Sequence, residues 1–137
     1  LKGFDKMYIF FLYCILAAKT YGDIPQVEFL YAVDGDTIVV NISDIHPVIG
    51  ERILVRVYGV DTPELSSKDV VQKELARTAK LATHNLLKAA KVVSLKNLRR
   101  DKYFRLLADV VFDEKDLATV LIRHKLGVLY FGGTKGP

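Results

Sequence analysis

The stretch Val27-Glu-Phe-Leu-Tyr-Ala-Val-Asp-Gly-Asp-Thr-Ile-Val-Val-Asn-Ile42 carries the strongest fold signal in the chain. Residues 27–33 are rich in apolar side chains and stop at Asp34-Gly35, a strong turn dipeptide. Thr37-Ile-Val-Val-Asn-Ile42 then resumes as a β-branched run, suited to a pleated and half-buried surface. Two such runs across Asp-Gly predict a β-hairpin. Working outward, a loop over residues 43–50 leads into a third predicted strand, residues 52–60. There Ile53, Val55 and Val57 share one face, while Leu54, Arg56, Tyr58 and Val60 take the other. Arg56 therefore stands among apolar neighbours.

Pro63 in Asp61-Thr-Pro-Glu64 ends that strand, because proline cannot donate to a ladder. Ser66 with Asp69 three residues on resembles a capping box, and a long helix is predicted from there to about Lys91. Its apolar stripe reads Val71, Leu75, Ala79, Ala82, Leu86 and Ala90. Residues 92–98 and 105–112 read as two more strands, bridged by the charged turn Arg99-Arg-Asp-Lys102. A short helix is predicted over residues 118–125, with Gly127 as its terminator, and residues 132–137 read as loop. This order predicts an α+β, mainly β fold: a five-stranded OB-type barrel with one long helix after the third strand and a short helix near the C-terminus.

At 137 residues the chain holds one domain, and with half its residues hydrophobic it can bury a core without disulfides or a structural metal. The net charge is +4, but residues 1–22 contribute Lys2, Lys6 and Lys19 against Asp5, which leaves 17 basic and 15 acidic residues beyond them. So weak an excess permits nucleic-acid binding only through clustering. The single cysteine, Cys14, lies in the N-terminal apolar stretch; with that stretch removed the mature domain has no thiol, which excludes zinc ribbons, thiol catalysis and disulfide scaffolds. Lys2 and Lys6 precede the apolar run Tyr8-Ile-Phe-Phe-Leu-Tyr-Cys-Ile-Leu-Ala-Ala18, which is too short to span a membrane comfortably. Residues 1–22 are therefore predicted to be a signal peptide, cut after Ala18 or Gly22, with residues 23–137 as the mature domain. That predicts a secreted or periplasmic protein with no membrane attachment after cleavage. An uncleaved anchor through residues 8–18 is the alternative. Bulky Phe11, Leu12 and Tyr13 before Cys14 argue against a lipid anchor.

Three clusters carry chemistry: Asp34-Gly-Asp36-Thr37, Arg56 with Asp61-Thr-Pro-Glu64, and Asp101-Lys-Tyr-Phe-Arg105. Asp36 and Asp61 are hard oxygen donors near turns, where backbone carbonyls also become free; such sets suit calcium or magnesium and not zinc. Carboxylates flanked by arginines match what phosphodiester hydrolysis requires. A cation must neutralise phosphate, a carboxylate must orient or deprotonate water, and a guanidinium fork must hold the developing charge. Each cluster alone has a plainer reading: a hairpin turn, a strand end, a structural ion pair. Their joint order does not. His46, His84 and His124 show no metal or triad spacing, and Lys80, Lys88 and Lys91 read as a solvated helix face.

That order resembles the staphylococcal nuclease-like (thermonuclease) family. The resemblance runs from Asp-Gly-Asp-Thr (34–37) through Val-Arg-Val-Tyr-Gly-Val-Asp-Thr-Pro-Glu (55–64) and Asp-Lys-Tyr-Phe-Arg (101–105) to Tyr130 and Gly-Gly-Thr-Lys135. It implies a calcium-dependent nuclease acting on DNA and RNA, single strands favoured, that leaves 3′-phosphates. Asp36 and Asp61 would be the calcium carboxylates, with the Thr62 carbonyl beside them. Glu64 would activate water, Arg56 and Arg105 would grip the scissile phosphate, and Asp34 would support the metal loop. Lys102 and Tyr103 would contact a neighbouring phosphate, and Tyr130 would line the nucleotide pocket. No stable protein partner is expected and a monomer is. A non-catalytic OB-type nucleic-acid-binding module is the rival reading, which would predict loss of some of Arg56, Glu64, Arg105, Asp36 and Asp61; all five are present. Three departures stand out. Phe104 replaces the family's usual glycine and is expected to crowd the pocket or shift Arg105. The loop at 43–50 is longer than in the shortest members. The chain ends at Pro137, short of the C-terminal helix of the best-known member, which bears on stability more than on chemistry.

Overall fold

The predicted hairpin forms the first wall of a barrel. In the computed structural model, which describes residues 19–132, β1 (Ile24–Asp34) pairs antiparallel with β2 (Thr37–Asn41), Asp34 opposite Thr37. β2 pairs antiparallel with β3 (Ile53–Val57), bringing Thr37 opposite Arg56. β3 then runs parallel to β6 (Leu106–Phe112), which pairs antiparallel with β5 (Val93–Arg100), and β5 returns to β1. The ring β1-β2-β3-β6-β5 is closed, so none of its strands keeps an open edge within the barrel. Register shifts in β1 at Phe29/Tyr31 and Ala32/Asp34 supply the local bending that closure needs. A second, two-stranded sheet pairs β4 (Gly59–Asp61) with β8 (Val128–Tyr130), and β7 (Lys115–Asp116) extends β6. The mainly β, five-stranded OB-type architecture is thus as the sequence predicts. The apolar core of the predicted signal peptide, Cys14 and residues 133–137 lie outside the described residues.

The inward faces follow the alternation. Ile38, Val40, Val55, Val57, Leu95, Ala108 and Val110 fill the barrel, while Leu87 from α2 (Val70–Ala89) and Leu117 and Leu121 from α3 (Leu117–Arg123) close it. Each such side chain contributes on the order of 1.5–3 kcal/mol by leaving water.

Several local expectations are corrected. The cap of α2 is Asp69 itself, whose Oδ1 accepts the amides of Val71 and Gln72 at 2.8 and 3.1 Å, and no Ser66 capping box forms. The helix buries Ala76, Ala79, Thr83 and Leu87, leaving Val71 and Leu75 exposed. The stripe moves because α2 crosses the Asp34-Gly35 turn at van der Waals distance, where small side chains are required. A Cβ on Gly35 would lie 2.8 Å from that of Ala79. Thr83 belongs to this face because its hydroxyl donates to the Gly35 carbonyl at 2.6 Å, which an apolar count does not register. The helix ends at Ala89 and not Lys91, since Asp113 accepts the Lys91 and Val92 amides, each at 3.0 Å, and turns the chain into β5.

The third strand is shorter than residues 52–60: the chain turns at Tyr58, and β4 begins at Gly59, at φ +89°. α3 ends at Arg123 with Lys125 at φ +59°, so Gly127 is not its terminator. The loop at 43–50 carries one short turn of helix, α1 (Pro47–Gly50), capped by His46, whose Nδ1 accepts the Val48 amide at 3.2 Å. β5 runs through Arg99 and Arg100, and the turn falls later, at residues 101–105.

Thr83→Val keeps the side-chain shape but removes the donor to the buried Gly35 carbonyl. It should cost about 1–3 kcal/mol in urea unfolding, and Thr83→Ser should recover most of that loss.

Candidate active site

The hairpin turn presents Asp36 almost fully buried, with both carboxylate oxygens engaged by the protein. Oδ1 accepts the Thr37 hydroxyl at 3.0 Å and Oδ2 the Thr62 amide at 2.8 Å. That second bond ties the turn to the exit of β4. Gly35 is required beside it, because a Cβ there would come within 2.9 Å of the Thr62 methyl. Arg56, on β3 opposite Thr37, completes the tie. Its Nη1 donates to the carbonyls of Asp36, Val57 and Val60 at 3.2, 3.0 and 2.9 Å. Its Nη2 meets Asp36 Oδ2 at 3.3 Å and Asp61 Oδ1 at 3.1 Å. Only 11% of the Arg56 side chain is exposed, so this is a buried cationic knot binding two carboxylates.

The basic side is built differently. Asp101 organises residues 101–105: Oδ1 accepts the Tyr103 and Arg105 amides at 2.8 and 2.9 Å, and Oδ2 accepts Arg105 Nε at 2.7 Å. The Arg105 side chain is 43% exposed, and among the described residues its Nη groups make no ion pair or hydrogen bond. It lies 5.6 Å from the Tyr103 ring, with Lys102 Nζ 5.1 Å from the same ring. The register of β4 with β8 sets Tyr130 opposite Gly59.

One open cleft of about 610 Å3 is lined by every residue singled out from the sequence: Asp34, Asp36, Arg56, Asp61, Thr62, Glu64, Lys102, Tyr103, Arg105 and Tyr130. Four carboxylates and three cationic side chains line it, Arg56 among the carboxylates. Glu64 lies at the exposed mouth, where Ser66 Oγ approaches its carboxylate at 3.4 Å. Burial raises the Asp34 carboxyl above its ordinary range, with repulsion from Asp36 and Glu64 adding to it and Lys80 and Arg56 opposing it. Lys80 is accordingly half-buried beside the cleft and not part of a fully solvated face. Burial also pushes the Asp101 carboxyl up, but the Arg105 side chain and the Arg105 and Tyr103 amides outweigh it and hold it below the usual 3.8.

Among the described residues no three His, Cys, Asp or Glu side chains form a metal cluster. The expected donor set is smaller, two carboxylates and a backbone carbonyl. It fits a hard cation in its chemistry, since Asp36 and Asp61 bring only oxygens and converge on a single Arg56 nitrogen. His84 has a structural place: its Nδ1 accepts the Ala32 amide at 3.4 Å and its ring meets Phe29 edge-on at 5.5 Å.

Phe104 does not crowd the cleft. It sits at φ +62°, turns its ring away and is 79% exposed, while Arg105 stays on the cleft wall. Sequence reasoning missed Asp101 as the organiser of this turn, where its carboxylate accepts the amide two residues on in the manner of an Asx-turn. It also missed the side groove where Tyr58 and Phe131, 5.2 Å apart, stand next to Tyr103 and Tyr130.

A closed OB-type barrel with a carboxylate–arginine cleft on its flank is the class of domain this geometry defines. The sequence model of the staphylococcal nuclease homologue family matches residues 54–135, more than half of the chain, and the protein belongs to that family. No curated protein matches the chain. Membership supports a nuclease or other nucleic-acid-directed function, within a family that is typically metal-dependent.

Three outcomes are expected. Arg56→Ala strands two buried carboxylates and three carbonyls, and should destabilise the fold by about 3–5 kcal/mol in chemical denaturation. The second concerns acid. A carboxyl held low in the folded state stabilises above the unfolded value and loses that contribution as pH falls through its folded value. The 101–105 turn should therefore loosen below pH 3.8, read as faster hydrogen exchange of the Tyr103 and Arg105 amides. Asp101→Ala should produce about tenfold faster exchange at neutral pH with little change in global stability.

Proposed function

We propose that the protein is a calcium-dependent nuclease that hydrolyses phosphodiester bonds of DNA and RNA, favours single strands and leaves 3′-phosphates. The observation that carries this reading is the meeting of a carboxylate pair, an exposed glutamate and two arginines of unlike availability in one open cleft.

In this reading Asp36, Asp61 and the Thr62 carbonyl hold the cation, which when bound neutralises the substrate phosphate and polarises its P–O bonds. Glu64, exposed at the mouth, accepts a proton from the attacking water or orients it. Arg56 is immobilised by its carbonyl contacts and supplies fixed positive charge that needs no reorganisation as the phosphorane forms. Arg105, pinned only through Nε, turns its Nη edge to the two equatorial oxygens. Lys102 and Tyr103 meet an adjacent phosphate, and Tyr130 lines the nucleotide pocket, where a ring can stack on any base, so little sequence preference is expected. Asp34 adds negative potential behind Asp36. The protein acts as a monomer, exported through its N-terminal segment to the periplasm or the medium; the basic and apolar pattern of residues 1–22 supports this placement.

The test is digestion of single-stranded DNA by the purified chain with calcium, with EDTA, and for Glu64→Ser and Arg105→Ala. Calcium-dependent cleavage, abolished by EDTA and reduced by about 10²–10⁴-fold in each variant, is expected. Tight DNA binding without cleavage by a folded sample would replace this reading with the non-catalytic binding module.

A further inference from the structure

Phe104 is placed where a folded chain ordinarily keeps neither its backbone nor its side chain. At φ +62° a non-glycine residue costs about 1–3 kcal/mol, and the exposed ring recovers little of that by burial. Such a residue at the tip of the turn that carries Lys102, Tyr103 and Arg105 points to a use outside the fold. Its neighbours narrow the use. Arg100, opposite Leu106 in the ladder, holds its guanidinium 6.0 Å from the Phe104 ring. The ring borders an open groove of about 450 Å3 with Ile45, Ile49, Leu54, Arg100 and Arg105.

Two features make this groove a continuation of the cleft and not a separate patch. Arg105 lines both. Leu54 and Arg56 stand on the same outward face of β3, two residues apart, or about 6–7 Å along the strand. A polymer leaving the cleft past Arg105 reaches Phe104 next, where an aromatic face and a cation lie side by side.

We infer that Phe104 and Arg100 form an outer nucleotide subsite, in which the base beyond the cleft stacks on the Phe104 ring and Arg100 meets its phosphate. The subsite rests on the nucleic-acid reading of the cleft. It commits the groove to one occupant, the same strand held at the cleft, because its two cationic side chains are Arg100, beside the Phe104 ring, and Arg105, which the groove shares with the cleft. The site lengthens the recognised strand without taking part in bond cleavage. Phe104 is therefore an affinity device held in strained backbone, and its effect must depend on substrate length.

The deciding experiment compares the full chain with Phe104→Ala, Phe104→Gly and Phe104→Tyr on oligothymidylates of two and ten nucleotides. Phe104→Ala keeps the backbone strain and Phe104→Gly removes it, so Gly should be the more stable of the two. Both should nevertheless raise KM for the ten-mer by about tenfold, leave kcat and the dinucleotide unchanged, and be rescued by Phe104→Tyr. Equal losses on both lengths, or no change on the ten-mer, would overturn the subsite. A wild-type chain that binds the ten-mer but cleaves neither length defeats the nuclease reading alone. Fluorescence anisotropy of the labelled ten-mer then decides the stacking contact, with tenfold weaker binding to Phe104→Ala expected and equal binding overturning it.

Discussion

The guanidinium of Arg56 is the constraint on which the cleft depends. Three backbone carbonyls and two carboxylates converge on it from β3, from the hairpin turn and from Val60 and Asp61 of β4. None of these groups could be buried alone, since an uncompensated charge away from water is far more costly than any contact it makes. Together they satisfy one another, and their geometry admits few alternatives. The knot therefore contributes specificity of arrangement more than net stability. It fixes where Asp36 sits relative to Asp61, and through the Asp36–Thr62 bond it fixes how the chain leaves the barrel toward Glu64.

The two sides of the cleft consequently differ in stiffness. The acidic side belongs to the barrel wall, roofed by α2 through Ala79 and Thr83, and its polar atoms bond mainly to backbone. The basic side is a five-residue turn whose internal order comes from a single carboxylate, Asp101. Exposed cationic side chains on a lightly held turn can follow a flexible polyanion, whereas oxygens that under the proposed function would share one cation are held in place. A rigid wall facing a compliant one suits a polymer substrate.

Much of this was legible in the sequence, and the failures have specific causes. The hairpin, the order of strands and the long helix follow from periodicity and from Asp-Gly and Pro signals. All ten candidate residues meet in one cleft because their spacing along a barrel is set by strand length. The helix stripe was misplaced because Thr83 is buried for its hydroxyl and Ala76 for its small size, and neither reads as an apolar anchor. The role of Asp101 stayed hidden because a turn aspartate looks alike whether it caps water or three donors. Phe104 was expected inside the pocket because spacing says nothing about a residue in the left-handed region, which turns the ring the opposite way. The plain reading of Arg56 as a structural ion pair also holds: the residue anchors the fold and faces the cleft at once.

The cleft is electrostatically uneasy even so, although Arg56 opposes the rise at Asp34. Asp34, Asp36, Asp61 and Glu64 share one small volume, and burial together with repulsion from Asp36 makes ionisation of Asp34 harder. A stability-optimised barrel would replace Asp34 with a neutral turn residue at no loss to its core. Natural chains break such local rules chiefly where function requires it, at the expense of stability. The strain falls on the acidic wall and not on Arg105 or Lys102, which are exposed and screened. The unfavourable charge therefore falls on the same wall as the carboxylates of the proposed cation site. Binding energy at that wall would go first into relieving repulsion already present in the fold, so an ion there would stabilise the turn, the β4 exit and Glu64 as one unit.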